Sequence, residues 1–98
     1  MPKPPPDSLL SRTESQVSCQ LELETIILQP TSGSYSKLNE VGTRIWQLIE
    51  QPRRVSELLD AVQSEFAVDQ QTCETEVSAF IDTLVRKKLA KLKEPSTN

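Results

Sequence analysis

The 98-residue sequence predicts a small α+β domain of winged-helix-like form, a three-stranded antiparallel sheet followed by three helices. Three observations carry that prediction. Between residues 16 and 38, apolar and polar residues alternate with period 2, the pattern of half-buried strands. From residue 40 onward, apolar residues recur at helical spacing in three separate stretches. The links between these segments are short, so the strands pair as a meander, and the helices supply the second layer that a small sheet needs to cover its apolar face.

Val17, Cys19 and Leu21 alternate with Ser18, Gln20 and Glu22, and Leu23 extends the pattern. This is the first strand, and its apolar set is expected to face the core. Thr25-Ile26-Ile27-Leu28 is a β-branched run that suits a second strand. Pro30-Thr31-Ser32-Gly33 supplies turn chemistry, and Ser34-Tyr35-Ser36-Lys37-Leu38 alternates again as a third strand.

Asn39 is a good N-cap for a first helix over 40–50, with Val41, Ile45, Leu48 and Ile49 on one face, Trp46 at its edge and Pro52 beyond its end. Gly42 costs that helix about 1 kcal/mol relative to Ala, so close packing is expected there. A second helix over 55–66 carries Val55, Leu58, Leu59, Val62 and Phe66, but neither Arg54 nor Ser56 is a clear cap. The third helix starts at Asp69, with Val68 and Cys73 placed as a hydrophobic staple. Its stripe is Cys73, Val77, Phe80, Ile81, Leu84 and Val85, and it ends in Arg86-Lys87-Lys88, cations at the negative end of the helix dipole. Ala90 to Lys93 reads as a short extended segment.

The domain proper is expected over 16–93. Pro2, Pro4, Pro5 and Pro6 forbid helix, so 1–15 reads as a disordered Pro-rich arm. Leu9 and Leu10 are its exceptions, able to dock on the body or on a partner, although a solvated tail is the favoured reading. Residues 94–98 read as a flexible C-terminal tail.

Composition removes most chemistry. The chain has no histidine, which excludes Ser-His-Asp and Cys-His catalysis and histidine zinc sites. The two cysteines, Cys19 and Cys73, form no metal motif, and both read as small core or groove-lining residues. Glu74 and Glu76 are two apart on a helix and so point away from each other. No catalytic residue, metal or cofactor is expected. With no signal peptide and no apolar run of transmembrane length, the expected location is the cytoplasm.

A net charge of −3 argues against nucleic acid as partner. Arg86, Lys87, Lys88, Lys91 and Lys93 are nonetheless a basic cluster, which keeps a winged-helix DNA-binding or transcriptional accessory protein as the alternative. The third strand is a sheet edge. Such an edge is either blunted or used to bind an extended peptide, and pattern alone leaves those two readings even.

The run Gly33-x-Tyr35-x-x-Leu38-Asn39-Glu40-Val41-Gly42-x-x-Ile45-Trp46-x-Leu48-Ile49, then Val55-x-x-Leu58, then Glu76-Val77-x-x-Phe80-Ile81-x-x-Leu84, resembles the PqqD-like family. The likeness is to its stand-alone members in lasso-peptide biosynthesis rather than to those of pyrroloquinoline quinone biosynthesis. It spans roughly residues 16–93. It implies a RiPP recognition element, RiPP meaning ribosomally synthesised and post-translationally modified peptide. Such a protein binds the leader of a precursor peptide as an added strand beside the third strand and the third helix. It presents the leader to a separate leader peptidase, with a cyclase as a further partner, and performs no chemistry itself. Membrane and nucleic acid are not implied as partners.

Carried over by position, Ser34, Tyr35, Ser36, Lys37 and Leu38 supply the backbone edge. Cys73, Glu76, Val77, Phe80 and Ile81 line or border the groove, some of them necessarily facing the core. Glu76 is the candidate for a basic group on the leader, and Lys37 for a carboxylate. Two departures bear on capping: Arg54 stands where family members often have Thr, and Lys88 where they commonly have Gly.

Overall fold

The computed structural model describes residues 4–14, 17–21, 24–29 and 33–93. Leu23, most of the 30–33 turn and the 94–98 tail lie outside the described residues. In chain order the elements are β1 (Leu9–Arg12), β2 (Val17–Leu21), β3 (Glu24–Gln29), β4 (Ser34–Leu38), α1 (Glu40–Leu48), β5 (Arg53–Arg54), α2 (Val55–Phe66), α3 (Gln70–Arg86) and β6 (Ala90–Lys93). They form two antiparallel three-stranded sheets, ordered β2-β3-β4 and β5-β1-β6, around three helices. The expected α+β architecture is present, with the meander in the expected order and the expected third strand as β4.

The phase of β2 differs from the expectation. Ile27 of β3 is fully buried and Thr25 nearly so. Thr25 is anchored to α1 by a 2.9 Å hydrogen bond from its hydroxyl to that of Thr43. That sets which side of the sheet faces the helices. Cys19 pairs with Ile26 and Leu21 with Glu24, on the opposite side. Cys19 is therefore exposed and Leu21 is 50% exposed. Gln20 takes the helix-facing side and accepts a hydrogen bond from Gln47 at 2.6 Å. The alternation located the strand, but the buried residues of β3 chose its inner face.

The second departure is the N-terminal arm. Residues 9–12 are not solvated: they form β1, the central strand of the second sheet, paired with β5 and over four positions with β6. Leu10 is fully buried in the main core beside residues such as Trp46, Ile49, Leu58 and Leu89. Arg12 stacks 4.4 Å from the centroid of the Trp46 ring and donates from Nε and Nη2 to the Trp46 carbonyl, a cation–π contact fixed by hydrogen bonds.

The arm also completes a helix start that the sequence left open. No side chain caps α2 from Arg54, although Glu57 reaches back to accept from the Arg54 N–H at 3.0 Å. The carbonyl of Ser8 accepts from the Val55 N–H at 2.9 Å, and that of Pro6 from the Ser56 N–H at 3.0 Å. Main-chain oxygens of the arm thus satisfy the orphan donors of the first turn.

The other helices carry the expected side-chain caps. Asn39 accepts from the Gly42 N–H at 2.9 Å, and Asp69 from the Thr72 N–H at 2.8 Å. The bonds from Thr72 hold the Asp69 carboxyl below the usual aspartate range. Their contribution to α3 is present above that range and is lost as pH falls through the lowered value. At its other end, α3 closes with the Leu89 N–H on the Leu84 carbonyl at 2.9 Å and the Lys88 N–H on that of Val85 at 3.0 Å. Both leucines are buried, so this is a Schellman motif with its apolar contact. Lys88 occupies the left-handed position, φ 61°, where glycine is usual.

The burial of Leu10 yields a stability prediction. Leu10→Ala is expected to cost about 2–5 kcal/mol in chemical denaturation, a loss that a solvated arm would not show.

Candidate functional site

β4 ends its sheet, and among the described residues no strand pairs with its outer edge. α3 runs beside it. Between them lies a groove of about 180 Å³ lined by Ser36, Lys37, Leu38 and Asn39 on one wall and Phe80, Thr83, Leu84, Lys87 and Leu89 on the other. Leu38, Leu84 and Leu89 are buried and Phe80 half-buried, so the floor is apolar. The rim is polar, and among the described residues it includes Lys37 and Lys87 but no carboxylate.

Gly42 determines where Phe80 can lie. A Cβ at this position would stand 3.0 Å from Cε1 and 3.2 Å from Cζ of Phe80, and 3.3 Å from Cβ of Leu38. The missing side chain lets the Phe80 ring settle against the start of α1, beside Leu38. At the far end of the groove, Lys87 Nζ donates to Ser36 Oγ at 3.1 Å, and the Lys87 carbonyl accepts from Gln29 Nε2 at 2.8 Å. These contacts tie the end of α3 to the sheet. Phe80 sits near Leu38 and Lys87 near Ser36, so α3 runs antiparallel to β4 along the groove.

Of the ten residues singled out from the sequence, the structure gathers Ser36, Lys37, Leu38 and Phe80 into this groove. Ser34 and Tyr35 lie on the same strand, with Tyr35 68% exposed. Tyr35 pairs with Leu28 on the sheet face turned away from the helices. Cys73, Val77 and Ile81 are buried in the core rather than in the groove. Glu76 is exposed, one turn before Phe80 on the helical face that continues through Thr83 to Lys87. Lys37 already has a partner in Glu24, at 3.3 Å.

Sequence reading passed over Asn39, Thr83, Leu84, Lys87 and Leu89 as groove residues. The signal for the α3 wall was the 76-80-83-87 row, which stands beside the apolar stripe instead of within it. Leu89 had no periodic signal, because the Schellman turn carries it there. The basic cluster disperses: Arg86 pairs with Asp82 at 2.9 Å, Lys87 enters the groove, and Lys91 and Lys93 lie on β6.

The chain matches the family model of coenzyme PQQ synthesis protein D (PqqD) over residues 24–90, and it belongs to that family. The matched span contains both walls of the groove. Among solved structures it is similar to TbiB1 in complex with the TbiA(beta) leader peptide, at 32% identity and a TM-score of 0.75, covering 89% of this chain and 99% of that one. It is also similar to lasso peptide synthetase B1 complexed with the leader peptide, with 20% identity, a TM-score of 0.74, and 84% and 96% covered, a likeness of fold. No curated protein matches the sequence.

Two predictions follow from the side-chain environments. Burial, reinforced by Glu74 and Glu76, raises the Cys73 thiol above its ordinary pKa, and its Sγ lies 3.4 Å from the Leu59 carbonyl. A thiol reagent at mildly alkaline pH is expected to modify Cys19 in the folded protein and Cys73 only after denaturant is added. Gly42→Ala gains up to about 1 kcal/mol of helix propensity but displaces Phe80 and crowds Leu38. Its thermal stability is expected to stay within about 1 kcal/mol of the parent while the Phe80 ring resonances shift in NMR spectra.

Proposed function

We propose that this protein is a RiPP recognition element of lasso-peptide maturation. It binds the leader of a precursor peptide as a fourth strand on β4, with side chains entering the groove beside α3, and presents that leader to a separate leader peptidase. The single observation that carries the reading is the groove itself: a sheet edge unpaired among the described residues, standing beside an apolar helix wall. The similarity to TbiB1, whose structure was solved with a leader peptide and is covered over 99% of its length, supports the same assignment.

In this reading Ser34 to Leu38 offer main-chain donors and acceptors, and Leu38 and Phe80 receive apolar side chains. Cys73, Val77 and Ile81 hold the α3 wall from behind, and Glu76 borders the entrance. The protein's work is binding, performed in the cytoplasm, with the cyclase as a further partner of the pathway. Exposed Leu21, Leu28 and Tyr35 leave the other face of the sheet apolar while a peptide occupies the edge.

The test is a titration with the leader of the precursor encoded beside this protein, for which saturable binding at micromolar concentration or tighter is expected. Successive residues of a strand turn their N–H groups to opposite sides. Of Ser36→Pro and Lys37→Pro, one therefore interrupts the β3 ladder and the other the outer edge. The variant that keeps its parent melting temperature is expected to lose about tenfold or more in affinity, the value of one strand hydrogen bond and its neighbours. Unchanged affinity in that variant would rule out strand addition at β4.

A further inference from the structure

Resting on the reading of the β4–α3 groove as the leader site, we infer that Lys87 forms an anion-binding subsite at the Ser36 end of the groove, which takes a carboxylate side chain of the bound peptide. Among the described residues the lining holds no acid, and the charge over the groove is that of Lys87, because Lys37 pairs with Ile26 on the sheet face turned away from the helices. Lys37 is engaged by Glu24 at 3.3 Å, and neighbouring Arg86 by Asp82 at 2.9 Å. Lys87 differs. Its ammonium meets the neutral hydroxyl of Ser36 at 3.1 Å, and among the described residues no carboxylate forms an ion pair with it.

A peptide carboxylate placed there would exchange a neutral contact for a charge-assisted one at the rim of the groove, and the bound peptide would itself shield that bond from water. The role assigned by position to Lys37 therefore falls to Lys87, which faces the groove with no acidic partner among the described residues.

The geometry also gives a spacing. Phe80 and Lys87 are two helical turns apart on one face, about 10 Å along α3. An extended chain rises about 3.3 Å per residue and repeats a side-chain direction every second residue. With α3 antiparallel to β4, the acidic residue stands about two or four positions from the apolar residue that rests on Phe80 and Leu38.

The experiment selects binders from a random linear peptide library against the full chain and its Lys87→Met, Lys87→Arg and Lys87→Glu variants, with folding checked by thermal melts. The parent and Lys87→Arg are expected to enrich Asp or Glu at one fixed position two or four residues from an apolar one. Lys87→Met is expected to lose that preference, and Lys87→Glu to replace it with Lys or Arg. For one enriched peptide, Lys87→Met should weaken binding about tenfold, and removing the peptide's acid should make the parent and Lys87→Met equal.

Enriched peptides that need the β4 edge but show no acidic preference overturn the Lys87 subsite and leave the groove reading intact. Enrichment indifferent to both proline variants in β4, or no enrichment at all, overturns the groove reading and the subsite with it.

Discussion

The groove depends on how closely α3 approaches the beginning of α1, and the absence of a side chain at Gly42 permits that approach. The Phe80 ring occupies the volume where a Cβ would project and rests there against Leu38. Asn39 caps α1 immediately after β4 ends, so the sheet edge, the helix start and the α3 wall converge within a few residues. A Cβ at 42 would stand 3.0–3.3 Å from Phe80 and Leu38, so the ring or its neighbour would have to shift to admit it. A helix-weakening glycine at a buried position thus makes room for a ring that lines the groove.

The two sheets divide the work of the fold. One leaves the outer edge of β4 without a neighbouring strand among the described residues. The other uses the N-terminal arm as its central strand, with Arg12 stacked on Trp46 and with carbonyls of Pro6 and Ser8 supplying the start of α2. The arm's prolines suit this duty: they cannot continue a helix, but their carbonyls accept hydrogen bonds without restriction. The departure at Arg54, where family members often carry Thr, is thereby compensated from a distant part of the chain. At Lys88 the left-handed conformation remains while the residue type has changed, and the buried Leu84–Leu89 contact holds the turn.

Much of this was legible in the sequence. Asn39 and Asp69 read correctly as caps because capping is a local, side-chain-to-backbone interaction. Most of the helix stripes read correctly because periodicity reports burial on one face, but Val85, placed on the α3 stripe, is 38% exposed. In β4 only the strand and not its inner face was legible, since Tyr35 is 68% exposed and Leu38 is buried. Cys19 and Leu21 misled because period 2 identifies a strand without saying which of its faces is inner, and here Ile27 and Thr25 on the neighbouring strand decide. Leu10 was undervalued because one apolar residue in a Pro-rich stretch gains its meaning from β6, some eighty positions later. In the groove, Phe80 was identified, whereas Lys87 looked like a dipole partner at a helix end. Its position over Ser36 is set by the packing of α3 on the sheet, which no local pattern encodes.

The pairing of β1 with β6 has a consequence for the order in which the chain assembles. Leu9–Arg12 and Ala90–Lys93 lie at opposite ends of the described chain, so this ladder closes a loop that encloses every helix and the whole first sheet. Closing a long loop carries an entropy penalty that grows with its length, and contacts of large sequence separation slow folding. The meander and the helix pairs can form from near neighbours, whereas the clasp of β1 on β6 must wait for residue 93 to be synthesised. Until then β1 has only its short ladder with β5, so the meander and the helix pairs can organise before the sheet that locks them.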